Sequence, residues 1–271
     1  MSESDTSYQE GLDVVVVNYR TPDLLKDFLD SYRFQTSTVP TSLWVIDVAP
    51  LPEHRDQVAM MLRDFDEVNY WGMETNVGYS RACNWAAFIA DRETIAFFNS
   101  DTKLFDDTLD VCYNYLMDHP DTAACGPLQV DSQGSITHAG IFGTNTKPYH
   151  RGWRSNSIEQ FKDVVDDVVS VSGSAYFVNK AIWDELWQDA DYRDMFPNAD
   201  GAFLPTQHYY EETWFSYFAR HRGYKVAYIG STMMIHEWHK SSPVGSVEGS
   251  IMSDSQKMFR AACARVGIEC D

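Results

Sequence analysis

The sequence predicts an α/β domain: a mainly parallel central sheet with helices on both faces and a small β element added late in the chain. Short β-branched runs alternate with amphipathic helical stretches through the first half of the chain. The runs are apolar throughout, as in strands covered on both faces. At 271 residues, 44% hydrophobic and 14% aromatic, the chain can bury one large core and is not disordered.

The elements follow in order. Residues 1–11 read as a flexible tail. Asp13–Asn18 is the first strand. Thr21-Pro22 starts a helix, with Thr as N-cap and Pro at the first helical position, and Leu24, Leu25, Phe28, Leu29 and Tyr32 recur at helical spacing. Leu43–Val48, Val68–Trp71 and Ile95–Phe98 are strands; Glu53–Phe65, Tyr79–Ala90 and Asp106–Met117 are helices. Ala123–Phe142 reads as strand, turn and strand, Thr144–Asp167 as a long loop with some helix, and Val168–Val178 as a strand pair. Lys180–Trp187 and Tyr210–Arg222 are helices around an irregular acidic stretch, Asp189–Gln207. Lys225–Ile229 and Thr232–Ile235 are short strands, and Ser253–Val266 is a terminal helix.

Charge and cysteine usage limit the function. Lys plus Arg total 21 against 40 Asp plus Glu, a net charge of −19, which argues against broad electrostatic binding of nucleic acid or an anionic membrane. Cys83, Cys112, Cys125, Cys263 and Cys270 are odd in number and contain no C-x-x-C pair, so they read as reduced thiols of a cytoplasmic protein. The polar N-terminus lacks the features of a signal peptide, and no apolar run reaches the length of a membrane span.

In open α/β sheets, ligands bind beyond the carboxyl ends of the strands. There the sequence puts Asn18, Tyr19 and Arg20, then Asp47, then Asn76-Val77-Gly78-Tyr79-Ser80-Arg81, then Asn99-Ser100-Asp101-Thr102. Each also has a structural reading: Asn76-Val77-Gly78 as a turn, Asp101 as a helix cap. No G-x-G-x-x-G or G-x-x-x-x-G-K is present, which argues against dinucleotide oxidoreductases and ATPases. Glu211-Glu212 opens a helix, where carboxylates either complement the dipole or serve as a general base. His236 ends a strand and leads through Trp238 to Ser241. One Asp with one His, completed by water and phosphate oxygens, suits Mg²⁺ or Mn²⁺ on a diphosphate rather than a structural zinc. Tyr149, Trp153, Tyr209, Tyr210, Trp214 and Trp238 offer aromatic faces for a ligand or for core packing.

In series, these pieces resemble the family-two inverting glycosyltransferases of GT-A fold, nearest to rhamnosyltransferase-like and O-antigen-type members. The matching segments are Val14–Pro22; Asp47; Asn76-Val77-Gly78-Tyr79-Ser80-Arg81-Ala82-Cys83-Asn84; Phe98–Thr102; Gly134–Gly140 with His138; His150-Arg151-Gly152; Val171–Ala175; Glu211 to Tyr224; and His236 with Ser241. The resemblance spans residues 12–242 as one domain, with a nucleotide-binding half (12–128) and an acceptor and catalytic half (129–242), followed by a loop and helix at 243–271. It implies that Asn18, Tyr19, Asp47 and Asn76 face the donor nucleotide, with Arg20, Gly78, Asn99 and Ser100 in the same donor-binding set. Arg81 would approach the base or diphosphate. Asp101 would hold the divalent metal with His236 as its partner, Gly173 would allow close backbone approach, and His236 to Ser241 would close over the diphosphate. Glu212 would be the base with Glu211 beside it, the register between them being open because Glu211-Glu212-Thr213-Trp214 departs from the family's Glu-Asp-x-Asp.

The implied activity is transfer of a sugar, in the manner of a hexosyltransferase, from a UDP- or dTDP-linked donor to a hydroxyl of a glycan or other acceptor. It would be assisted by manganese or magnesium and would invert the anomeric centre. A non-catalytic nucleotide-sugar or glycan binding module and a sugar nucleotidyltransferase are the rival readings.

Overall fold

The computed structural model describes residues 8–65, 67–238 and 246–270. In chain order the elements are β1 (Gln9–Asn18), α1 (Pro22–Arg33), β2 (Thr41–Val48), α2 (Pro52–Leu62), β3 (Val68–Met73), α3 (Tyr79–Ile89), β4 (Arg92–Asn99), β5 (Thr102–Leu104) and α4 (Thr108–Asp118). Then come β6 (Thr122–Val130), β7 (Ile136–His138), β8 (Ile141–Thr144), β9 (Lys147–His150), β10 (Val165–Asp167), β11 (Ala175–Asn179), α5 (Lys180–Gln188), α6 (Ala190–Met195), α7 (Glu211–His221), β12 (Lys225–His236) and α8 (Ser246–Val266). The main sheet has the order β10-β12-β6-β11-β4-β1-β2-β3, with β5 on β12 and β7 on β6, and β8–β9 forms a separate hairpin.

The expected α/β architecture is present. β3, β2, β1 and β4 are parallel throughout, and β6 and β12 form a second parallel pair. β11 enters antiparallel between β4 and β6 and joins the two blocks. Val14, Val15 and Val16 are fully buried because side chains alternate across a strand that is covered on both sides. Val14 and Val16 face Leu25 and Phe28 of α1 and Leu109 and Leu116 of α4. Val15 faces the layer of α3, α5 and α7, built on Phe97, Trp183, Phe203 and Phe215.

Several local expectations are corrected. The first strand begins at Gln9, inside the stretch read as a tail. Thr21 does not cap α1 through its side chain; its hydroxyl donates to Asn18 Oδ1 at 2.9 Å. The long loop expected at 144–167 contains β9, a 3-10 turn at Ile158–Gln160, and β10. Residues 168–174 are irregular and lead into a single strand, β11, not a strand pair. The two last strands are one, β12, whose pairing with β6 shifts register between Ile229 and Met233. Gly230 sits in that irregularity, where an added Cβ would stand 2.1 Å from Phe161 O. Ala190–Met195 is helical within the acidic stretch, because Asp189 accepts from Asp191 N and Tyr192 N as an N-cap. The cysteines are all free, and Cys83, Cys112, Cys125 and Cys263 are buried.

The irregular segment before α7 is fastened by α3. Asn84 Nδ2 donates to Phe203 O and Asn84 Oδ1 accepts from Phe203 N, both at 3.0 Å. Ser80 Oγ donates to Leu204 O, and Tyr79 N donates to Gln207 O at 2.8 Å. Gly78, at φ +84, leaves room for Gln207, whose carbonyl oxygen would lie 2.3 Å from any Cβ there. Replacing Asn84 by Ala strands a buried N–H and a buried carbonyl. Chemical denaturation of Asn84→Ala should show a loss of about 2–3 kcal/mol.

Candidate active site

Beyond the strand ends lies a cavity of about 230 Å³ whose lining includes Asn99, Asp101, Gly173, Glu211, Glu212, His236, Trp153 and Trp238. Each wall has a clear origin in the fold. Asp101 stands in the tight connection between β4 and β5. β5 pairs antiparallel with β12 in a register that sets His236 opposite Thr102, and Glu237 N donates to Asp101 O at 3.0 Å. His236 Nε2 and Asp101 Oδ1 are consequently 3.7 Å apart, with both residues buried.

The opposite wall is the start of α7. Tyr209 and Tyr210 both adopt left-handed backbone, at φ 70 and 68, a conformation that costs a non-glycine residue on the order of 1 kcal/mol or more. The surroundings hold them there: Thr206 Oγ1 donates to Tyr209 O at 3.1 Å, and Tyr210 stacks on Phe259 of α8 at 5.1 Å. Ser255 Oγ of α8 donates to His208 O at 2.6 Å. The kink delivers two consecutive carboxylates at a helix N-terminus, where the dipole favours negative charge.

Glu211 is 3% exposed, and its Oε2 has no hydrogen-bond partner among the described residues. Burial, then the neighbouring Glu212, pushes its carboxyl well above the ordinary 4.5. Glu212 is half-buried; burial raises it too, against the backbone N–H groups and the Thr213 hydroxyl that stabilise its anion. Thr213 Oγ1 donates to Glu212 Oε1 at 3.1 Å. Gly173 leans on this side chain, so that a Cβ there would be 3.2 Å from Glu212 Cγ.

The strand-end residues form a second group beside the cavity. Asn18 Nδ2 donates to Asp47 Oδ1 at 2.8 Å, and Tyr70 OH donates to Asp47 Oδ2 at 3.1 Å. Burial raises the Asp47 carboxyl despite these two donors. Ser100 Oγ is 3.0 Å from Thr21 Oγ1, tying the β4 end to the β1 end. Arg20, at φ 60, donates from Nε to Ala49 O at 3.0 Å and lies over the Tyr19 ring at 5.2 Å.

The remaining sequence candidates lie elsewhere. Asn76 Oδ1 accepts from Gly78 N at 3.0 Å in the turn that enters α3. Arg81 is exposed and lines a separate pocket of about 170 Å³ with Phe196, Pro197 and Asp200. Ser241 lies outside the described residues. Among the aromatic candidates, Trp153, Tyr209, Tyr210 and Trp238 line the cavity, with Trp153 and Trp238 edge to face at 3.7 Å. Trp214 is fully buried against Phe218 and Tyr192, and Tyr149 is exposed on β9. The cavity residue His208 was missed by sequence reasoning, although it directly precedes Tyr209-Tyr210-Glu211-Glu212. Tyr70 was missed because an exposed residue on an edge strand carries no signal.

Among the described residues no group of three or more His, Cys, Asp or Glu side chains gathers as metal ligands. The donor set of Asp101 and His236, one carboxylate oxygen and one imidazole nitrogen 3.7 Å apart, fits two corners of a divalent cation whose other positions go to phosphate oxygens and water.

Residues 13–157, a little over half of the chain, match the family model for glycosyl transferase family 2, and the chain belongs to that family. Its fold is that of the GT-A glycosyltransferases. *S. aureus* TarS 1–349 in complex with UDP-GlcNAc is similar at a TM-score of 0.61 and 16% identity, over 94% of this chain and 66% of that one. *S. aureus* TarS gives 0.64 and 14%, over 96% and 40%. GalNAc-T7 with UDP, GalNAc and Mn²⁺ gives 0.67 and 13%, over 94% and 48%. The chain thus spans less than two thirds of the length of these three structures. No curated protein matches it significantly. No described helix is long and apolar enough to cross a membrane.

Because the folded state raises the Glu211 pKa, stability from this group is full below about 4.5 and is lost as pH rises through the folded value. Glu211→Gln, which stays neutral, should therefore become progressively more stable than wild type above that pH, read as a growing gap in Tm across a pH series.

Proposed function

We propose that the cavity transfers a sugar from a nucleoside-diphosphate donor to an acceptor hydroxyl with inversion, and that Glu212 is the base. One observation carries the reading: Asp101 and His236 share a single cavity with Glu211 and Glu212. A polar pair suited to a metal-bound diphosphate and a carboxylate suited to an incoming hydroxyl thus border the same space.

The acceptor oxygen bonds to the anomeric carbon as the bond from that carbon to the diphosphate oxygen breaks. Glu212 takes the acceptor proton, and the electron pair of the broken bond leaves on the nucleoside diphosphate. A raised pKa makes Glu212 a stronger base than an ordinary carboxylate. Glu212 is half-buried, with the Thr213 hydroxyl and Gly173 against it, whereas Glu211 is buried, and this geometry supports Glu212 as the base of the two. Asp101 and His236 would hold a Mn²⁺ or Mg²⁺ ion, which when bound absorbs charge on the departing diphosphate. The Asn18–Asp47–Tyr70 chain, buried at Asn18 and Asp47, orders the strand ends where the nucleoside would lie. Trp153 and Trp238 offer apolar faces to sugar rings. UDP- and dTDP-sugars are the donors of choice; the UDP-GlcNAc in the TarS structure and the UDP in the GalNAc-T7 structure support the first.

The test is release of nucleoside diphosphate from a panel of UDP- and dTDP-sugars with Mn²⁺ or Mg²⁺ and saccharide acceptors, with product anomer read by NMR. Glu212→Gln should lower kcat on the order of 10²–10⁴-fold, and Asp101→Ala should abolish the metal dependence. Activity should fall as pH drops through the raised Glu212 pKa, so the acid limb should lie above 4.5. Donor binding without turnover, equal in wild type and Glu212→Gln in the presence of acceptors, would return the chain to a binding role.

A further inference from the structure

The Gly134–Gly140 element takes no part in the reaction above, yet its histidine is tied to the catalytic wall. His138 ends β7 and is 1% exposed. Its Nε2 accepts from two backbone donors, Gly140 N and Ser172 N, each at 3.3 Å. A ring nitrogen that accepts carries no proton, so the single proton of the neutral ring is on Nδ1. Burial, with His150, His236 and Arg151 nearby, holds the imidazole well below the usual histidine range and keeps it an acceptor.

Ser172 opens a short turn that meets the base. The Ser172 and Ser174 hydroxyls are 2.9 Å apart, and Ser174 Oγ donates to Gln129 Oε1 at 2.7 Å. Between them, Gly173 O accepts from Tyr79 OH at 2.9 Å. One Gly173 Cα hydrogen faces Glu212, since a Cβ in its place would stand 3.2 Å from Glu212 Cγ and 3.3 Å from its Cδ. Contacts therefore run without a break from His138 through the Ser172 amide and Gly173 to the Glu212 carboxyl.

We propose that His138 is a positioning residue: its Nε2 staples the Ser172–Ser174 turn to the Gly140 turn and so holds the wall that covers one side of the Glu212 carboxyl. The inference rests on Glu212 as the base, and the staple is what preserves the burial that strengthens it. Titratable groups around Glu212 are Glu211 and Tyr217 on its own helix, Tyr210 before it, Tyr79 and Cys83 on α3 and Tyr176 on β11, with Asp101, His150, His208 and His236 lining the same cavity. Burial pushes the hydroxyls, the thiol and the Glu211 carboxyl up alike.

The experiment is ¹³C NMR titration of the whole chain labelled at the glutamate carboxyl carbons, with the Glu212 signal assigned by Glu212→Gln. Wild type is compared with His138→Ala and His138→Gln, whose amide oxygen reaches about as far from Cα as Nε2 does. In His138→Ala the Glu212 carboxyl should lose about tenfold in proton affinity and titrate closer to 4.5. Its kcat should fall while the donor KM holds, and His138→Gln should restore both. An unmoved Glu212 titration in His138→Ala, with only a lower Tm, would overturn the proposal, as would failure of His138→Gln to rescue. If wild type transfers no sugar, the proposed function fails, and the carboxyl titration still decides the staple.

Discussion

Two consecutive carboxylates at the first turn of α7, Glu211 buried and Glu212 half-buried, are the constraint around which this half of the molecule is arranged. Removing Glu211 and Glu212 from solvent disfavours their charge, and their proximity adds to the effect for Glu211. The helix dipole offsets part of it, as do the Thr213 hydroxyl and local N–H groups. The rest is met by rigidity: a left-handed tyrosine pair braced by α8 and a glycine turn pressed against Glu212. A shifted pKa and a fixed direction are the two qualities that the proposed role of Glu212 as base requires.

The same demand explains where the Asn76–Asn84 motif spends its side chains. Tyr79 N, Ser80 Oγ and both ends of the Asn84 amide bond the backbone of Phe203, Leu204 and Gln207, and Gly78 makes room for the last. The motif therefore fastens the approach to Glu211, and its glycine is required by protein backbone at this position. On the far wall, one strand register does comparable service: β12 against β5 sets His236 beside Asp101.

The cavity between these walls combines carboxylates with histidines, of which His150 is held low by burial, and with a rim of Trp153 and Trp238. A sugar nucleotide presents the matching chemistry, a diphosphate at one end and a ring with apolar faces at the other. Membership of glycosyl transferase family 2 and the GT-A fold agree with that arrangement.

What the sequence by itself determined was local. The apolar runs specified the parallel strands, Pro22 and the helical periodicity specified α1, and the series of short motifs marked Asn18, Asp47, Asp101, Glu211, Glu212 and His236. Those signals are legible because they rest on neighbours in the chain. Tertiary structure decided which of them meet. It drew Asp101, His236 and the glutamates into one cavity, left Arg81 on another surface and sent Trp214 to the core. It also merged two expected strands into β12, because the register shift at Gly230 answers to Phe161 and Val164 rather than to its own neighbours. The contacts of His138 and Tyr70 were hidden for the same reason: each makes a hydrogen bond to a residue that is not its neighbour in sequence, and such pairings exist only once the chain has folded.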